Sequence, residues 1–261
     1  MTTERLADEP LIAVFVDYEN LAIGVRRMRK GSFQIDLVLR RLLEKGRIVY
    51  KRAYGDWNAY AGAVRELHAL GISMMEMPRG RMSGKNSADI HMVVDALDLC
   101  YAKQHIDAFA LLSGDSDFSP LVSKLKENDK RVIGCGVKNS TSDLLIASCD
   151  EFIYYDDLMR AAQKPTPVKK KRAVAGAKPT KKEEALERLV ETVSSLARDY
   201  DTVWGSMVKQ TIRRVYPGFN EDYYGYTSFD ALLEDARDQG LISLDYDERR
   251  GNYVVSPRAA A

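Results

Sequence analysis

With 261 residues, 45% of them hydrophobic, the chain can bury one substantial core and has length left for a second, smaller domain. No apolar run approaches the roughly 20 residues that cross a bilayer, and the start Met1-Thr2-Thr3-Glu4-Arg5 has no signal-peptide pattern, so a soluble, cytoplasmic protein without membrane partners is expected. The formal net charge is only +1, the cysteines Cys100, Cys135 and Cys149 lack CxxC spacing, and His68, His91 and His105 fit no ligand motif, which argues against a disulfide framework and against a zinc site.

Along the first 160 residues, apolar strand-like runs alternate with helical patterns. Strands are predicted over 11–16, 48–54, 72–77, 108–113, 131–136 and 151–155. Between them, helices are predicted over 36–44, where Leu37, Leu39, Leu42 and Leu43 lie among charges, and over 58–70, opened by a capping-type Asn58. A further helix follows Asp89, and Ile90, Val93, Val94 and Leu97 have the spacing of its buried face. Such alternation implies right-handed βαβ crossovers, hence a mostly parallel α/β sheet with helices on both sides.

Residues 161–182 break this pattern with eight Lys and Arg and no acid, and with Pro165 and Pro167 near their start. A segment of this composition cannot bury a core and reads as a disordered linker, either a solvated spacer or a mobile polycation that adds phosphate contacts. From residue 183 to 261 a different arrangement is expected. An amphipathic helix over 183–200 carries Leu186, Leu189, Val193 and Leu196; a second runs over 205–216, with Ser206 near its cap; a third spans 228–239. A β-hairpin over 241–246 and 252–255 closes this part, and three helices followed by a hairpin outline a winged-helix domain.

Chemistry is suggested by aspartates at strand ends and helix starts. Asp17 closes the run Leu11-Ile12-Ala13-Val14-Phe15-Val16, with Asn20 nearby to orient it or a metal-bound water. Asp115 and Asp117 lie in Ser113-Gly114-Asp115-Ser116-Asp117-Phe118, directly after a strand, and Asp89 opens a helix. The carboxyl ends of neighbouring parallel strands share one crevice, so these acids can converge there. Converging carboxylates repel one another unless a hard cation such as Mg²⁺ or Mn²⁺ neutralises them. Taken singly, each acid is also what a plain helix cap would use. Asp95 lies about 240° around the helix from Asp89 and is either a supporting residue or a partly solvated helix acid. Lys85 is placed to meet a substrate phosphate, or is simply solvated.

Together, Val14-Phe15-Val16-Asp17-Tyr18-Glu19-Asn20, Lys85 through Asp95, and Ser113 through Phe118 resemble the NYN domain, a PIN-like ribonuclease family, over roughly residues 10–160. The resemblance implies a compact α/β fold with a metal-dependent endonuclease site. It carries the acidic roles onto Asp17, Asp89, Asp115 and Asp117, with Asn20 and Asp95 supporting. Trp204-Gly205-Ser206-Met207-Val208-Lys209, Tyr216-Pro217-Gly218-Phe219-Asn220 and Tyr224 through Phe229 resemble a LOTUS (OST-HTH) domain, a winged-helix family associated with RNA and with protein partners. Lys209, Arg213 and Arg214 are its candidate RNA-binding cations, although residues 183–261 hold 9 Lys and Arg against 15 Asp and Glu. The cluster Tyr223, Tyr224, Tyr226 and Phe229 reads as core packing.

The expected protein is therefore a nuclease domain over 1–160, a basic linker over 161–182 and a LOTUS-like domain over 183–261. Its expected activity is metal-dependent endoribonuclease cleavage, with Asp17, Asp89 and Asp115 holding one divalent ion, or two with Asp117. The alternative is a non-catalytic RNA-binding or regulatory adaptor that keeps the same fold. A small-molecule phosphohydrolase is disfavoured because no GxxxxGK[ST] loop is present.

Overall fold

A computed structural model of the protein describes residues 9–28, 31–77, 87–163 and 180–258. Lys85 and the basic segment 164–179 lie outside the described residues. The chain divides into two compact units, Met1–Ala161 and Ala162–Ala261.

The first unit is built on one six-stranded sheet in the order β3-β2-β1-β4-β5-β6. Its strands are β1 (Leu11–Asp17), β2 (Arg47–Gly55), β3 (Ser73–Glu76), β4 (Ala108–Leu112), β5 (Arg131–Gly136) and β6 (Glu151–Tyr154), and every neighbouring pair is parallel. The continuous apolar runs of β1 and β4 follow from this position, because a central parallel strand is covered on both faces. Successive residues of β1 serve opposite cores: Ile12, Val14 and Val16 pack with Leu21, Val38 and Leu42, whereas Ala13 and Phe15 pack with Met92, Ala96 and Phe109. Among the described residues, six helices connect the strands, α1 (Tyr18–Arg27), α2 (Ile35–Leu43), α3 (Ala61–Ala69), α4 (Ser87–Ala102), α5 (Ser119–Glu127) and α6 (Asp143–Ser148), and α7 (Tyr155–Gln163) follows β6. Burial pushes the Cys135 thiol up to about 12, as befits a core side chain.

Two local expectations are corrected. Asn58 does not cap α3; it sits in the turn before it, where the Asp56 carboxylate accepts from the N–H groups of Asn58 at 3.1 Å and Ala59 at 3.3 Å. The buried face of α4 runs through Met92, Ala96 and Cys100, while Ile90 and Val94 are 62% and 50% exposed. Both stripes of this helix are apolar, so spacing alone does not select the phase, and Ala96 allows close approach to the sheet. The correct phase has a consequence for chemistry, since Asp89 lies within roughly 20° of Ala96 and Cys100 at about 100° per residue. Its side is the sheet side.

Among the described residues, the second unit holds three helices, α8 (Lys181–Leu196), α9 (Gly205–Val215) and α10 (Phe229–Asp238), and an antiparallel hairpin of β7 (Ile242–Asp247) and β8 (Asn252–Pro257). Helix α8 starts before residue 183 because Thr180 and Glu183 form a reciprocal capping box. Trp204 bridges Val254, which adds a third short partner to the hairpin. Ser206 does not cap α9; its hydroxyl accepts from the Asn252 amide at 2.9 Å instead. Tyr224, Tyr226 and Phe229 are buried as expected, but Tyr223 stays 57% exposed with the Lys181 ammonium 4.0 Å from its ring centre.

Candidate active site

The strand order reverses direction between β1 and β4, so the crevice beyond their carboxyl ends is a topological switch point, the place where open α/β sheets bind ligands. Asp17 ends β1 and caps α1, one carboxylate oxygen accepting from the Asn20 N–H at 3.2 Å. Its other oxygen accepts from the Ser113 hydroxyl at 2.9 Å, immediately after β4. Asn20 makes a second tie across the same seam, its side-chain oxygen accepting from the Gly114 N–H at 2.9 Å. A side chain at Gly114 would stand 2.7 Å from the Ser140 carbonyl oxygen, so the close approach of the next loop explains the glycine. Asp115 then caps the short turn Ser116–Phe118 by accepting from the Asp117 N–H at 3.0 Å.

These carboxylates feel one another. Burial pushes Asp17 up to about 7; the Asn20 N–H and the Ser113 hydroxyl oppose the shift, and the charges of Asp89 and Asp115 add to it. Asp89 is also raised, first by burial and then by Asp115, Asp117 and Glu19. Thus the charges of Asp89 and Asp115 act on Asp17, and those of Asp115, Asp117 and Glu19 act on Asp89. Sequence reasoning gave Glu19 and Ser113 no role, although both flank the recognised acids; Glu19 sits in the first turn of α1 and accepts from the Asp56 N–H at 3.2 Å.

The donor set is all oxygen and mutually repelling, which fits a hard divalent cation. Among the described residues, however, no three His, Cys, Asp or Glu side chains stand close enough together to hold a metal ion as they are. The acids are gathered by the fold but not drawn into a ligand cage.

Asp95 is engaged elsewhere. Its carboxylate accepts from the Arg52 guanidinium at 2.7 Å and the Tyr54 hydroxyl at 2.6 Å. Tyr54 is buried and is the β2 partner of Asp17, so Asp95 braces the neighbouring strand end. In the second unit, Arg213 donates to both oxygens of the buried Glu221 at 3.0 and 3.1 Å, and Lys209 lies 3.8 Å from the same carboxylate. Burial raises Glu221, yet its own backbone N–H, Arg213 and Lys209 together hold it below the usual carboxylate value. Arg214 donates to the Thr211 hydroxyl at 3.1 Å.

No helix among the described residues is long and apolar enough to cross a membrane. An uncharacterized protein of Methanocaldococcus jannaschii is 30% identical over 165 residues, a match covering 62% of this chain and 62% of that protein's length. A crystal structure of a protein of unknown function from Vibrio parahaemolyticus superposes with a TM-score of 0.52 at 26% identity, over 59% of this chain and 98% of that one. The model of the NYN domain, a member of the PIN-like nuclease superfamily, matches residues 11–156, the whole six-stranded unit that carries the crevice. The chain belongs to the NYN domain family.

Proposed function

We propose that the chain is a metal-dependent endoribonuclease whose active site is the acidic crevice beyond β1 and β4. What supports this reading is the position of Asp17 at the end of β1, tied to Ser113 beyond β4 at the switch point, with the charges of Asp89 and Asp115 acting on it. Asp17, Asp89 and Asp115 would hold a divalent ion, Mg²⁺ or Mn²⁺, with Asp117 and Glu19 on its margin. A bound ion there supplies Lewis acidity and a more acidic water. The protein's own part is to orient the carboxylates. Ser113 and Asn20 fix the Asp17 carboxylate, Asp95 braces β2 through Tyr54, and Asp17 must give up its proton before it can serve as a ligand.

The second unit, with three helices and a bridged hairpin, is read here as a LOTUS-like winged-helix module that binds RNA or a protein partner and raises the local concentration of substrate. Its acidic balance and the pairing of Lys209 and Arg213 with Glu221 make its phosphate-binding face smaller than a count of cations suggests.

The test is cleavage of mixed single-stranded and structured RNA by the full chain with Mg²⁺ or Mn²⁺, with EDTA and an Asp115→Asn variant as controls. Cleavage that stops with EDTA and falls at least about a hundredfold in the variant is expected, since one charge that the ion needs is gone. RNA binding without cleavage under any divalent ion would instead identify a non-catalytic adaptor.

A further inference from the structure

Helices α5 and α6 and the turn Ser116–Phe118 border a shallow, open cleft of about 540 Å³. That volume is within the range of sites for small organic molecules, roughly 300–1,000 Å³. One of its walls is Asp117, whose charge also acts on Asp89, so the cleft and the crevice adjoin. The rest of the lining is neutral: hydroxyls of Ser116, Ser119, Ser123 and Ser148, with Pro120 and Leu144 as its apolar members. Leu144 is 60% exposed at the second residue of α6, a large apolar side chain facing water rather than core.

The hydroxyl of Ser119 is the second observation. The residue is 93% buried by its 7% exposure, and its oxygen has no hydrogen-bond partner. Buried hydroxyls are ordinarily paired, and an orphan in a cleft wall is a place where a ligand group can supply the missing bond. The neighbouring hydroxyls are only half used: Ser123 donates to the Ser119 carbonyl at 3.2 Å and Ser148 to the Leu144 carbonyl at 2.7 Å, leaving the lone pairs of both oxygens as acceptors.

The chemistry of the lining selects the ligand. No cation lines the cleft, and Asp117 repels an anion, so a phosphate is not what it holds. A flat apolar body edged with donors and acceptors is, and a nucleoside has that form. We propose that this cleft seats one nucleoside of the RNA strand next to the phosphate presented to the carboxylates, the base lying against Leu144 and Pro120 and its polar edges or ribose hydroxyls meeting Ser119. The inference rests on the ribonuclease reading above, and it adds a subsite that would give that activity a preference for the residue flanking the cut.

The experiment measures binding and cleavage separately. A short fluorescein-labelled ribo-oligonucleotide is titrated with the full chain in Ca²⁺ and followed by anisotropy, and cleavage of the same RNA is timed in Mg²⁺ or Mn²⁺. The variants are Leu144→Ser, Ser119→Ala and Ser123→Trp, the last filling the cleft from an exposed helix position, each checked for an unchanged thermal midpoint. Binding should weaken about tenfold in Leu144→Ser and Ser123→Trp, the scale of losing one stacked base, and by a smaller factor in Ser119→Ala. In cleavage the effect should fall on KM and on the choice of flanking base, with kcat within about twofold of the parent. Unchanged binding in all three variants, or no binding of the oligonucleotide by the parent chain, overturns the subsite. Normal binding with variant-dependent loss but no cleavage under any ion would leave the subsite standing and sink the nuclease reading alone.

Discussion

The Ser113 hydroxyl donates to the Asp17 carboxylate at 2.9 Å, joining the carboxyl ends of β4 and β1 at the point where the sheet reverses its winding. Ser113 is itself fully buried and also accepts from the Asp115 N–H at 3.2 Å, so one oxygen links two acids of the crevice.

Ser113→Ala removes a donor that favours the charged form of Asp17, so the Asp17 carboxyl should move further above about 7. The expected result is a pH–rate profile whose acidic limb shifts upward by about one pH unit, with activity at neutral pH down about tenfold. The leftover Asp115 N–H adds a stability cost of about 1–3 kcal/mol. A profile that keeps its midpoint while only the plateau drops would show that Ser113 does not act through Asp17.

Asp17 also makes stability depend on pH. Its folded value of about 7 lies above the ordinary 3.8, so the folded protein keeps a proton that the unfolded chain releases between those values. Stability from this group is therefore full below about pH 4, falls as pH rises, and is lost above about pH 7, a swing on the order of 4 kcal/mol. Asp17→Asn should be more stable than the parent at pH 8, and the difference should vanish near pH 4. Thermal unfolding across that range in EDTA checks it. With Mg²⁺ or Mn²⁺ present the parent should regain stability at pH 8, and calorimetry near pH 6 in two buffers should detect proton release on metal binding.

Most of the fold and half of the site are legible in the sequence, and the exceptions have physical causes. All six strands of the first unit are readable because β1 and β4 are buried on both faces and their runs end at acids that cap the next turn. Helix α4 misleads because Ile90 and Val94 are as apolar as Met92 and Ala96, and only the shape of the sheet beneath decides which stripe turns inward. Ser113 is invisible as a site residue because nothing local distinguishes a serine that reaches 96 positions back along the chain to Asp17. The partners of Asp95 are likewise hidden from local sequence, because Arg52 and Tyr54 lie on a strand 41 to 43 residues away. The pairing of Lys209 and Arg213 with Glu221 is hidden in the same way, since Glu221 comes close only after the chain turns back.

That last pairing gives a direct test of the second unit. Glu221→Gln removes the charge that holds Arg213 and Lys209 and should free both for phosphate. If this face binds RNA, affinity at low salt should rise and the slope of log K against log salt should steepen by roughly one to two. The unit should lose about 1–3 kcal/mol of stability from the broken charge-assisted bonds, visible in its unfolding transition. An unchanged affinity and slope would place RNA contacts away from Lys209 and Arg213.

Truncation separates chemistry from recruitment. Helix α7 ends at Gln163, and the hydrophobic clusters of the first unit are made of residues between Ile12 and Met159 alone, so a chain ending at Gln163 retains its complete core. It also keeps Asp17, Glu19, Asp89, Asp115 and Asp117, with the bonds from Ser113 and Asn20 to the Asp17 carboxylate. What it loses is the basic segment, a candidate for phosphate contacts of no sequence preference, and the second unit. The truncated chain should fold and cleave short RNA with a kcat near that of the full protein, while its KM for long RNA rises about tenfold or more as the tethered second contact disappears. The check is cleavage of short and long substrates by both chains under one divalent ion. A folded truncation that cuts neither, where the full chain cuts both, would mean that residues beyond 163 complete the active site, and the division of labour between the two units would fail.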